Sequence, residues 1–101
     1  MKKATITLLQ VFSIGTEDTF VVRICDNLKT AKSLLNQLFE DAANNEISTK
    51  TGATLSNPMW LNSNHTRLQV TQTIACVGLK IQETYTIHEE SETTLFSANP
   101  L

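Results

Sequence analysis

The sequence predicts a two-layer α+β domain in which one amphipathic helix packs on a four-stranded, mainly antiparallel sheet, in the order β-β-α-long loop-β-β. Three observations carry this. Residues 28 to 43 place apolar side chains at helical spacing, the stretches on either side alternate at period two, and short polar turns separate them.

The first strand is read at residues 3 to 13. Ala4, Ile6, Leu8 and Phe12 share one side, which only Gln10 interrupts, while Thr5, Thr7, Leu9 and Val11 share the other. Gly15-Thr16-Glu17-Asp18 is a turn by composition. Residues 19 to 25 are rich in β-branched and aromatic side chains, with Phe20, Val22 and Ile24 as the apolar side, and complete a hairpin.

The helix is the clearest element. Leu28, Ala31, Leu34, Leu35, Leu38, Phe39, Ala42 and Ala43 form one stripe, and Lys29, Lys32, Ser33, Asn36, Gln37, Glu40 and Asp41 form the opposite face. Asp26 and Asn27 are candidate N-caps, and Asn44 and Asn45 suit an end that needs a left-handed residue. A lone hairpin and a lone helix are each unstable, so the stripe is expected to lie back on the hairpin.

Residues 44 to 66 are dominated by Asn, Ser and Thr around Pro58-Met59-Trp60-Leu61 and show no period. Such a long irregular stretch is uncommon in a compact domain. The pattern favours a loop pinned by Trp60, with a short strand at Met59 to Leu61, over an edge strand hidden between Ile47 and Leu55. Alternation returns with Leu68, Val70, Ile74 and Cys76 on one parity, broken by Gln72. It changes parity across Val77-Gly78 and resumes with Leu79, Ile81, Tyr85 and Ile87. A change of parity requires a turn or bulge, so two strands, 67–75 and 79–88, are predicted. Residues 1–89 are read as the domain and 90–101 as a C-terminal tail.

At 101 residues the chain has the size of one domain, and with 41% hydrophobic and 18% charged residues it has a globular composition. A net charge of −2 offers no broad basic surface for phosphates, and the open sheet face carries Thr and Gln where base stacking would need aromatics. Nucleic-acid binding is therefore disfavoured. No apolar run is long enough to span a membrane. Lys2-Lys3 and the run after them lack a cleavage site, so a cytoplasmic location with reduced Cys25 and Cys76 is expected.

No catalytic, cofactor-binding or metal-ligating set emerges. The glycines at 15, 52 and 78 are isolated, and His65, His88, Cys25 and Cys76 show no ligand spacing. His88-Glu89-Glu90 with Glu92 reads as a solvated strand end. Met59 and Trp60 stand out in the polar loop, because Trp and Met are enriched where proteins meet, and His65 with Arg67 would supply a polar rim. The expectation is a non-enzymatic protein-binding or regulatory module without a cofactor, self-associating as a homodimer, with Met59, Trp60, His65 and Arg67 as partner-binding residues. A small-molecule or nucleotide-binding domain is the alternative. It would require a concave pocket lined by Arg23, Arg67, His65 or His88. The outline is of a style common among small bacterial and phage proteins, a likeness that carries no residue across.

Overall fold

Turns and alternating stretches fall near their expected places, but the sheet has one strand more than predicted. A computed structural model describes residues 3–13, 15–45, 53–74 and 77–90. The elements are β1 (Lys3–Phe12), β2 (Glu17–Cys25), α1 (Leu28–Ala43), β3 (Ala53–Trp60), β4 (Arg67–Ile74) and β5 (Leu79–Glu90). They build a five-stranded sheet in the order β2-β1-β5-β4-β3, with every neighbouring pair antiparallel.

The long loop is corrected by β3, which occupies residues 53–60 within it. Pro58 lacks an amide donor, and that is tolerable here because β3 is an edge strand. Asn57 takes a left-handed φ of 51°, and the register with β4 shifts between Ser56 and Met59. This bulge breaks the period-two pattern, which is why the strand is hidden in the sequence. Residues 46–52, Cys76 and the predicted tail from 91 to 101 lie outside the described residues. Glu90, placed by the sequence pattern at the start of the tail, instead ends β5.

The helix has its predicted bounds. Asn27 caps it, the side-chain Oδ1 accepting from the Thr30 amide at 2.8 Å, and Asn45 beyond its end adopts φ 54°. Ala31, Leu35 and Ala42 are buried, with Leu28, Leu34, Leu38 and Phe39 packed against the same core. The stripe does not lie back on the first hairpin, however. It sits mainly over β3 and touches β2 least.

Topology explains the difference. Alternating antiparallel neighbours make β2 and β3 parallel, on opposite edges of the sheet, so the chain must cross the sheet and return to its starting end. Four strand spacings amount to roughly 19 Å. Sixteen helical residues supply about 24 Å. The helix thus acts as the crossover, and β2 is left at the margin.

The core lies between α1 and one sheet face. Ile6 stands opposite Ile87, and Leu8 stands opposite Tyr85, which stands opposite Leu68. Leu35, Leu68 and Val70 are the largest fully buried side chains. By alternation the other face presents Thr5, Thr7, Gln69, Thr71, Thr73, Gln82, Thr84 and Thr86. No described helix covers it.

Candidate functional site

The four residues singled out from the sequence divide between the two sheet faces. Met59 and Trp60 are consecutive in β3 and so point oppositely. Trp60 packs on the core and is stacked between two rings, with Phe39 at 5.3 Å and His65 at 4.2 Å between centroids. It therefore joins the helix to the edge of the sheet. His65, at φ 57°, belongs to a tight connection between β3 and β4. Asn62 holds that connection, its Oδ1 accepting from the amides of Thr66 (3.0 Å) and Arg67 (3.2 Å) while its Nδ2 donates to the Thr66 hydroxyl (2.7 Å). Met59 is half exposed, and by register it shares the open face with Arg67. The stack is thus an anchor, and Met59 with Arg67 is an accessible pair on the opposite side.

A buried polar cluster went unforeseen. Glu83 is 2% exposed. Its Oε2 accepts from Gln10 Nε2 at 2.6 Å and from Gln72 Nε2 at 2.9 Å, and its Oε1 accepts from the Tyr85 hydroxyl at 3.2 Å. All three donors are neutral groups. Burial pushes the Tyr85 phenol well above its ordinary pKa, and the adjacent carboxylate adds to the rise by charge and by accepting the hydroxyl proton. The signal was present as three polar interruptions of apolar rows, at Gln10, Gln72 and Glu83. It needed the strand register, which sets Gln10 opposite Glu83 and Gln72 beside it, to become readable.

This cluster suits architecture better than catalysis. Glu83 and Tyr85 are buried while Gln10 and Gln72 are partly exposed, and every buried side-chain nitrogen and oxygen among the described residues has a partner. Cys25 is a buried free thiol. His88, on the open face, lies 3.1 Å from the Thr7 hydroxyl through its Nε2. Among the described residues no three His, Cys, Asp or Glu side chains converge to hold a metal. No described helix is long and apolar enough to cross a membrane.

Among the described residues the longest run of exposed apolar side chains lies elsewhere, on β2, apart from the exposed Met59, Leu61 and Val77. Eight of its nine residues are exposed, and only Cys25 is buried. Phe20 is 45% exposed, Val21 57%, Val22 48% and Ile24 63%. These residues face both sides of the strand. Unbroken alternation puts Phe20, Val22 and Ile24 on one side, but a bulge shifts the parity. Phe20 lies opposite Leu8 on the helix side, whereas Ile24 lies opposite Thr5 on the open face, and α1 stops short of the strand. Between helix and edge strand remains a groove of about 250 Å³, lined by Ile6, Val22, Arg23, Leu34, Gln37, Leu38, Asp41 and Tyr85. The register shift between Ile6 and Thr7 is a bulge at Val22–Arg23, which turns both side chains towards this groove. Of Arg23, Arg67, His65 and His88, only Arg23 lines it.

No family model matches the chain, and no curated protein or solved structure was found to match it. The functional reading therefore rests on the site itself.

Proposed function

We propose that this is a non-enzymatic protein-interaction module that takes up its partner by strand addition along β2. One observation carries the reading: a nine-residue edge strand with Phe20, Val21, Val22 and Ile24 all exposed, beside an apolar groove. An edge presents unpaired amides and carbonyls, and an added strand satisfies them while its side chains enter flanking pockets. The sheet's other edge is less receptive. There β3 carries Pro58 within a bulge, a combination that discourages pairing.

The test is capture of bound protein by tagged full-length chain, comparing Phe20→Lys/Ile24→Lys with Trp60→Ala. Both β2 positions are exposed, so the double variant should keep its fold, checked by thermal melting, and lose bound protein tenfold or more. Trp60→Ala should lower stability by about 2 kcal/mol, less than for a fully buried aromatic, yet leave capture intact. Retained capture by the β2 variant, with loss in Met59→Ala or Arg67→Ala, would move the interaction to the open face and contradict the proposal. A second reading, a small-molecule site, draws on the groove and its Arg23. It would be favoured by ligand-dependent thermal stabilisation that Leu34→Lys abolishes.

A further inference from the structure

We infer that the strand added to β2 is the β2 of a second copy of this chain, antiparallel, with the two-fold axis at Phe20. This rests on the strand-addition reading and names its partner.

Charge carries the argument. Glu17 and Asp18 open the strand and Arg23 lies near its end, all exposed. Parallel pairing would set acid beside acid, whereas antiparallel self-pairing sets the acidic end of each copy against the basic end of the other. The bulge refines this. Asp18 pairs with Gln10 on the helix side of the sheet, and the bulge turns Arg23 to the same side. With the axis at Phe20, Asp18 of each copy stands opposite the Val22–Arg23 pair of the other. A bulge sets two residues against one, so Arg23 falls within reach of that carboxylate.

Shape agrees with charge. Phe20 lies opposite Leu8 and so faces the helix side. The axis brings the two Phe20 side chains together there, between the two grooves walled by Leu34 and Leu38. Two unpaired edges vanish, and one continuous sheet of both copies results.

The test is multi-angle light scattering of full-length protein over a concentration series. Wild type should be dimeric. Asp18→Lys sets Lys against Arg23, and Arg23→Glu sets Glu against Asp18, so each should weaken the dimer tenfold or more. An equimolar mixture of the two variants restores both pairs and should form heterodimers, and the doubly swapped Asp18→Lys/Arg23→Glu should again be a homodimer. A wild type that is monomeric at on the order of 100 μM, variants that stay dimeric, or a mixture that fails to associate would each overturn the inference. None of these outcomes decides whether β2 receives a different protein, which the capture comparison with Phe20→Lys/Ile24→Lys reads independently.

Discussion

Leu35→Asp is expected to leave the chain without a cooperative unfolding transition. Leu35 is 0% exposed at the middle of the helical stripe, packed into the core shared by β1, β4 and β5. Native domains hold only about 5–15 kcal/mol of net stability. A carboxylate at this place would lose its hydration with no cation or donor to replace it, a cost of several kcal/mol, in addition to the lost packing. Leu35→Ala isolates the packing loss and should lower stability by about 3 kcal/mol. Far-ultraviolet circular dichroism through a urea titration checks both. A cooperative transition in Leu35→Asp near the wild-type midpoint would show that the helix is not the second layer of this fold.

The second large effect is expected at Glu83. Glu83→Ala removes the common acceptor of Gln10, Gln72 and Tyr85 and leaves a cavity at a position that is 2% exposed. The loss should be about 3 kcal/mol, combining stranded donors with a cavity. Replacing the whole cluster should behave differently. Gln10→Met/Gln72→Met/Glu83→Met/Tyr85→Phe keeps the volume and buries no unpaired polar group, so it should fall within about 1 kcal/mol of wild type or exceed it. Urea midpoints at constant m-value give the comparison. If the fourfold variant were as unstable as Glu83→Ala, the cluster would be contributing far more than mutual satisfaction.

These expectations show which parts of the fold were legible in the sequence. The helix was readable to its bounds because Leu28, Leu35, Ala42 and their neighbours obey a local period and Asn27 is a local cap. The strands β1, β2, β4 and β5 were readable because turn residues and alternation are also local. The strand β3 was not, since Asn57 and Pro58 carry the bulge that erases alternation. The place of α1 over β3 was missed for the same reason, because a crossover cannot be drawn to an unseen strand. The Glu83 cluster needed three strands in register. The candidate site was the least legible. Alternation groups Phe20, Val22 and Ile24 on one face, but the bulge moves Ile24 to the face of Val21, and nothing local shows that β2 has a strand on one side only among the described residues. Met59 and Trp60 were conspicuous by composition, and the structure stacks Trp60 between Phe39 and His65, in keeping with the pinning role expected of it.

The claim that joins fold to function is that β2 is where this protein meets another polypeptide. Residue-resolved amide hydrogen exchange on the full-length chain tests it most directly, comparing dilute protein with protein in its assembled state. Protection should appear at alternate amides of Glu17–Cys25, those not already paired with β1, and exchange along β3 and the open sheet face should stay unchanged. Fast exchange throughout β2 in the assembled state, with new protection confined to Met59 through Arg67, would contradict the claim.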